Sequence, residues 1–221
     1  ELIAAAVETE KLSRVDLYGI GTNLTCFSFI QADEEKMERL AEMRKKVENA
    51  AGHTLEIVSG GNSAALDLMM RGGICEGVDN FRLGESLLFG KERSRYTFLP
   101  GTRNDGFILE CEVVEAKVKP SLPWGTAGVD SYGRKPVFTN RGEKRKKVIC
   151  AIGRQDFDAE TATPVDEGIL ILGASSDHLM LDVTDSVKEY KVGDIVELRL
   201  GYFSVLRAFT SPYVEKIFLK K

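Results

Sequence analysis

The sequence predicts an α/β unit with a parallel sheet, followed by an antiparallel β-domain, and three observations predict it. Over residues 1–100, strand-like apolar runs alternate with runs of helical periodicity. From about residue 105, strand-like runs follow one another with only glycine, proline and aspartate punctuation between them. The glycine-bearing turns of the first part, "GIGTNL", "SGGNS" and "RLGES", all come just after strand-like runs. Ligands gather at those ends in parallel α/β folds.

In chain order, "LIAAAVETEKL" reads as a short helix, and "RVDLYGIGTNLTCF" as a β-like stretch broken at its glycines. "DEEKMERLAEMRKKVENAAGH" is an amphipathic helix. Met37, Leu40, Met43, Val47 and Ala51 lie at helical spacing, acids open it and Gly52 closes it. "TLEIVSGG" is a strand, "SAALDLMMRGG" a helix, "NFRLG" a strand and "ESLLFG" a short helix. The β-domain strands are "FILECEVVEAKVKP", "KKVICAIG", "GILILG", "HLMLDV", "DIVELRL" and "YVEKIFL". The domain division is 1–100 and 101–221, and "KPSLPWGTAG" is the longest irregular stretch.

With 221 residues, 43% hydrophobic and 29% charged, the chain suits one sizeable core or two small ones in a soluble globular protein. A net charge of −4 gives no electrostatic reason to expect nucleic acid or an anionic membrane as partner. The basic run "RGEKRKKVIC" is expected to be a solvated hairpin edge. Cys26, Cys75, Cys111 and Cys150 show no metal-ligand spacing and lie mostly in apolar stretches. Reduced core thiols, no metal site and a cytoplasmic location are the expectation. No apolar run has membrane-spanning length, and no signal peptide opens the chain.

The turn "IVSGGNSAALDL" carries the most chemistry. Glycines let an anion approach the backbone, and the N–H groups opening a helix are unpaired donors, so phosphate is the natural guest. Ser63 is expected at the N-cap, where its hydroxyl either caps the helix or binds that phosphate. Taken alone, such a turn is more often a capped junction with no ligand.

The ordered series "GIGTNL", "SGGNSAAL", "FRLGESLLFGKE", "SYGR", "AIGRQDFD" and "LGASSDHLMLDV" resembles the later part of a fold-type III pyridoxal-phosphate amino-acid racemase. The family is the alanine racemase superfamily, in its ornithine racemase-like branch, and the resemblance runs from near residue 15 to the end. It implies the C-terminal portion of a TIM-type (β/α)8 barrel, its last three βα units, followed by the β-domain, whose C-terminal end returns to the barrel. It implies pyridoxal 5′-phosphate as cofactor, Gly60, Gly61, Asn62 and Ser63 at its phosphate, and the Gly84 and Glu85 backbone beside them. Arg82 resembles the arginine facing the pyridine nitrogen. A guanidinium does not give up its proton, so the ring nitrogen stays unprotonated and the carbanion is steered to reprotonation. A salt-bridged arginine at a strand end is the plainer alternative. Asn23 stands where alanine racemases carry a histidine in a "THF" string. Tyr213 resembles a tyrosine touching the phosphate, with a half-buried strand tyrosine as its rival reading.

"GVDSYGRKP" resembles the loop that brings a catalytic tyrosine into the partner subunit's site. The resemblance makes Tyr132 one of two bases, with the cofactor-binding lysine on the opposite face of Cα. A hairpin-loop tyrosine is the rival. Ser176 and Asp177 align with the partner-supplied edge of the substrate pocket, which implies a homodimer with shared sites. The string Ser176-Asp177-His178 is no hydrolase triad, because neighbours on a strand point to opposite faces, and His178 is expected at the surface.

A complete barrel of this type takes roughly 250 residues, whereas the α/β pattern here covers about 95. No segment resembles the strand carrying the family's cofactor-binding lysine, and Lys11, Lys36 and Lys91 do not stand in for it. A fragment, inactive alone, is therefore expected. Its parent is expected to be a racemase of ornithine or another basic amino acid. The alternative is a non-catalytic binding or assembly module of that fold. A fold-type III decarboxylase is disfavoured, since "GICEGVD" only echoes its "CESxD" string.

Overall fold

The computed structural model describes residues 1–129 and 133–220. The chain divides into two compact units, Glu1–Asn104 and Asp105–Lys221.

The first unit is built on three parallel strands in the order β1 (Gly19–Gly21), β2 (Ile57–Asn62), β3 (Asn80–Arg82). Helix α1 (Leu2–Glu10) precedes β1, and α2 (Glu34–Ala51) joins β1 to β2. Asp33 caps α2 by accepting from the Lys36 N–H at 3.0 Å, and Gly52, at φ 82°, ends it in the left-handed conformation only glycine adopts freely. Met37, Leu40 and Val47 are its buried stripe, with Met43 and Ala51 half-buried. At about 1.5–3 kcal/mol per buried side chain, this stripe is the main hold of the helix on the sheet. Arg44 and Glu48 tie its far end to Leu55, which donates its N–H to Glu48 at 2.9 Å and accepts from Arg44 at 3.0 Å. Ile20, Leu55, Val58, Leu68 and Val78 complete the core.

After β2, residues 63–65 form a 3-10 turn that runs into α3 (Leu66–Met70). Helix α4 (Glu85–Phe89) follows β3, and the hairpin of β4 (Lys91–Glu92) and β5 (Thr97–Phe98) closes the unit. This is the strand-helix alternation that the sequence predicts. The strand expected over "RVDLYGIGTNLTCF" contracts to the three residues of β1.

The second unit is one antiparallel sheet in the order β8-β11-β6-β7-β10-β9. Its strands are β6 (Ile108–Pro120), β7 (Lys144–Cys150), β8 (Ala162–Pro164), β9 (Leu170–Ala174), β10 (Leu179–Asp182) and β11 (Ile195–Leu200). Val113, Val148, Leu179, Leu181, Val196 and Leu198 fill its core. The fold class is thus α/β plus antiparallel β.

Three local expectations are corrected, and one helix is new. The basic run is an edge only in part: β7 pairs with β6 from Lys144 to Cys150 but with β10 only over Lys147–Cys150, so of its cations Lys147 alone lies between two strands. Three of its cations have partners in place. Arg145 donates to Asp182 at 2.8 Å and also binds Asp185, Lys146 pairs with Glu189 at 2.7 Å, and Lys147 donates to the carbonyls of Pro120 and Ser121. "YVEKIFL" forms no strand: residues 212–220 are turn and coil. An alternating run needs a ladder partner to become a strand, and these residues pair with none of the described strands. Helix α5 (Tyr202–Thr210), unforeseen in the sequence, precedes them and buries Ser204 and Ala208 one turn apart. Cys111 and Cys150 are buried and Cys75 half-buried, but Cys26 is exposed. A hydrogen bond to Cys150, together with burial, pushes the Cys111 thiol well above its ordinary value.

Candidate functional site

The C-terminal ends of β1, β2 and β3 bring together most of the residues singled out in the first unit. Between Ser59 and Asn62, β2 spends one more residue than β3 does between Asn80 and Arg82, so the Gly60-Gly61 pair forms a bulge. Gly61 sits at φ 125°, a conformation that requires glycine. Gly60 packs tightly, since a Cβ there would approach the Phe81 ring at 2.7 Å and Val78 at 2.8 Å. The bulge re-aims the chain into the 3-10 turn.

Asn62, not Ser63, is the cap of that turn, its Oδ1 accepting from the Ala64 N–H at 2.8 Å. The bulge leaves Asn62 extended, the backbone state a cap needs, and Ser63 is already the first residue of the turn. The Asn62 amide nitrogen donates to Asn23 Oδ1 at 2.7 Å, to the Leu24 carbonyl at 3.2 Å and to Cys26 Sγ at 3.2 Å. Asn23 and Asn62 thus lock the loop after β1 to the turn after β2.

Freed from capping, buried Ser63 turns its hydroxyl toward the start of α4. Its Oγ accepts from the Gly84 and Ser86 N–H groups, each at 3.3 Å, and lies 3.2 Å from Ser86 Oγ. A Cβ on Gly84 would meet nothing within 4 Å. The cluster is two hydroxyls and two backbone N–H groups with no carboxylate in it. The Glu85 carboxylate instead pairs with Arg93 at 3.4 Å. Donors without a competing anion, with open space before Gly84, fit a phosphate group.

Arg82 crosses the same strand ends. Its Nη1 donates to Ser59 Oγ and its Nη2 to the Thr22 carbonyl at 2.7 Å. No salt bridge holds it among the described residues, so the salt-bridged alternative is not realised.

In the second unit, residues 175–178 are the turn between β9 and β10 rather than strand. Asp177 Oδ1 accepts from Ser175, from Ser176 at 3.1 Å and from the His178 ring at 3.1 Å. The Ser176 hydroxyl, then His178, hold the Asp177 carboxyl below the usual range. The serine donates to the aspartate and not to the histidine, so no triad forms; His178 is half-exposed, as expected. Two motifs turn out to be one structural unit. The N–H groups of Arg154 and Gln155 bind the carbonyls of Ser175 and Ser176, at 2.8 and 3.0 Å. A Cβ on Gly153 would come within 2.2 Å of the Asp177 nitrogen. Tyr213 is exposed in the turn after α5, its N–H donating to Ser211 Oγ at 3.1 Å. Tyr132 lies outside the described residues.

Among the described residues, no group of His, Cys, Asp and Glu is arranged to hold a metal ion. Among these residues, too, no helix is long and apolar enough to cross a membrane.

No family model matches the chain. The chain is 45% identical over 209 residues to an ornithine racemase of Acetoanaerobium sticklandii, covering 95% of this chain and 59% of that protein. It is 42% identical over 214 residues to a lysine racemase of Thermotoga maritima, covering 97% and 60%. The chain belongs to the alanine racemase superfamily. This superfamily member therefore spans about three-fifths of the length of the relatives it matches. The fold agrees with an alanine racemase from Bartonella henselae with covalently bound pyridoxal phosphate, at TM-score 0.52 and 19% identity over 94% of this chain and 55% of that one. It agrees equally with a D-threonine aldolase from Filomicrobium marinum, at TM-score 0.55 and 11% identity over 93% and 51%. The likeness in shape carries the fold and not the reaction. The architecture is the C-terminal portion of a TIM-type barrel followed by a β-domain.

Three residues of this superfamily member escaped the sequence: Ser59, Ser86 and Gly21. Ser59 precedes Ser63 by four positions on a strand whose bulge no hydrophobic pattern reveals. Ser86 follows "RLGE" inside a quoted motif, where the donor role of its hydroxyl and N–H was the available signal.

Proposed function

We propose that this chain serves a pyridoxal-phosphate-dependent racemase of a basic amino acid, ornithine or lysine. The observation that carries the reading is the carboxylate-free cluster of Ser63, Gly84 and Ser86, standing with Arg82 at the ends of one parallel sheet. The names of the two relatives support the substrate class.

In this reading, Ser63, Ser86 and the Gly84 N–H hold the phosphate, and the open space before Gly84 leaves room for it. Gly60, Asn62 and Asn23 shape the turn, and the Glu85 carboxylate stays turned away on Arg93. When bound, pyridoxal phosphate supplies the electron sink that makes the substrate Cα proton acidic. Arg82 faces the ring nitrogen and keeps it unprotonated. Tyr132 holds or returns a proton at Cα on one face, and a lysine among the relatives' residues that this chain does not span does so on the other. Ser176 and Asp177 edge the substrate pocket of a neighbouring subunit in a homodimer, Tyr213 reaches the phosphate, and this chain by itself does not racemise.

The test is the whole protein titrated with pyridoxal phosphate, followed by its absorption spectrum, and then given single enantiomers of ornithine, lysine and alanine with optical rotation recorded. Cofactor binding with racemisation of the two basic amino acids is expected. A whole protein that binds no pyridoxal phosphate refutes the reading and leaves a non-catalytic assembly module of this fold. Binding with preference for alanine refutes the substrate class alone.

A further inference from the structure

Arg82 leaves β3 and reaches back across both neighbouring strands. Its two terminal nitrogens are taken by two different strand ends: Nη1 by Ser59 Oγ on β2, Nη2 by the Thr22 carbonyl just past β1. Ser59 is only 6% exposed, so its hydroxyl is fixed by the sheet rather than by solvent. The Thr22 end is equally fixed, because the Thr22 N–H donates to the Ser59 carbonyl at 2.9 Å. Ser59 therefore holds the guanidinium directly through its side chain and, through its backbone, also holds the other acceptor.

Gly21 completes the arrangement. It is the β1 residue paired with Ser59, and a Cβ there would stand 3.0 Å from Ser59 Cβ and 3.4 Å from Arg82 Nη1. The bare backbone opens the slot in which the guanidinium lies. Both acceptors are uncharged, so they orient Arg82 without offsetting its positive charge, as a carboxylate would. The remaining guanidinium N–H groups, Nε–H among them, have no partner among the described residues.

We propose that Ser59, with Gly21 opposite it, is the positioning residue for Arg82, fixing the plane in which the unused donors are presented to the cofactor ring. The proposal rests on the reading of Arg82 given under Proposed function. It goes further in naming what aims the arginine. A serine that merely satisfied its hydroxyl within a sheet would affect stability when removed, but not the electronic state of the bound cofactor.

The experiment uses the whole protein as wild type, Ser59→Ala, Gly21→Ala, Arg82→Lys and the double variant Ser59→Ala/Arg82→Lys. Each is titrated with pyridoxal phosphate, its absorption spectrum taken with and without amino acid, and kcat and KM measured. Misaiming a group by about 1 Å costs on the order of 100-fold, so Ser59→Ala and Gly21→Ala are each expected to lower kcat about 10- to 100-fold. KM is expected to stay within about twofold, because the phosphate-side contacts are untouched. The absorption of the bound cofactor is expected to shift in both variants. In the Arg82→Lys background, Ser59→Ala is expected to add no further loss, since it acts only through the arginine. Should Gly21→Ala fail to fold, Ser59→Cys, with a weaker acceptor of similar size, takes its place and is expected to fall between wild type and Ser59→Ala. A wild type that binds pyridoxal phosphate while Ser59→Ala keeps its spectrum and kcat overturns this proposal alone. So does full additivity in the double variant. A wild type that binds no cofactor overturns the cofactor reading and this proposal with it.

Discussion

Replacing Ser63 with Ala isolates the part of the site proposed to hold phosphate. The Ser63 hydroxyl is the shared acceptor of two N–H groups and a neighbour of the Ser86 hydroxyl. The Ser86 N–H is buried, so losing its acceptor carries the cost of an unsatisfied donor. At 3.3 Å the bond is long, which points to the low end of the usual range, about 1 kcal/mol. The Ser86 hydroxyl loses a contact worth about 0.5–1 kcal/mol more, while the half-buried Gly84 N–H turns to water at little cost. Cofactor-free protein is thus expected to lose about 1.5 kcal/mol, measurable as a lowered urea midpoint at unchanged slope. The effect on binding is larger. A hydroxyl bonded to phosphate contributes about 1.5–3 kcal/mol, and the two N–H groups released by the substitution recover part of it. A net weakening of about tenfold in pyridoxal phosphate affinity follows, read by absorption titration of the whole protein. Affinity within about twofold of wild type, in a folded variant, would show that the phosphate is held elsewhere.

Other outcomes follow from particular contacts. Gly153→Ala drives a Cβ into the backbone of Ser176 and Asp177, an overpacking expected to cost about 1–3 kcal/mol and to raise KM by displacing that turn; unchanged thermal unfolding and KM would refute it. Burial pushes the Asp182 carboxyl up, but Arg145 and then Thr184 outweigh it and hold the group below its ordinary value. Its contribution is therefore present above the unfolded value near 3.8 and is lost as pH falls through the lower folded value. Arg145→Met, which strands that carboxylate, is expected to cost about 3 kcal/mol in urea unfolding near neutral pH, and less at about pH 3; an equal cost at both would refute the assignment. Whole subunits lacking the cofactor-binding lysine, mixed with equal amounts of Tyr132→Phe subunits, are expected to regain about a quarter of wild-type activity, because half the dimers then carry one working site. No recovery, with heterodimers shown to form, would refute sharing across the dimer.

What could be read from the sequence was governed by how local the determining physics is. Helix α2 was legible because its stripe, its Asp33 cap and its Gly52 stop lie within one run of residues. The turn after β2 was legible for the same reason, Gly61 being required at one position of a short turn. The cap moved from Ser63 to Asn62 because the bulge depends on the register of β2 against β3, which no single run encodes. The same holds for β7. Its Arg145, Lys146 and Lys147 look like an exposed edge until Asp182, Asp185, Glu189 and two carbonyls arrive from other parts of the chain.

Arg82 joins these two kinds of information. Its own position is marked by a short motif, so a sequence can nominate it. Its aim is set by Ser59 and Thr22, 23 and 60 residues earlier, and by the missing side chain of Gly21. Register alone brings these together: Gly21 meets Ser59 across β1 and β2, and Asn62 meets Arg82 across β2 and β3. A change that slips either pairing by one residue would leave every motif intact in the sequence and still turn the guanidinium away from the strand ends. The chemistry of such a site is carried by the motifs, and its geometry by the sheet that aligns them.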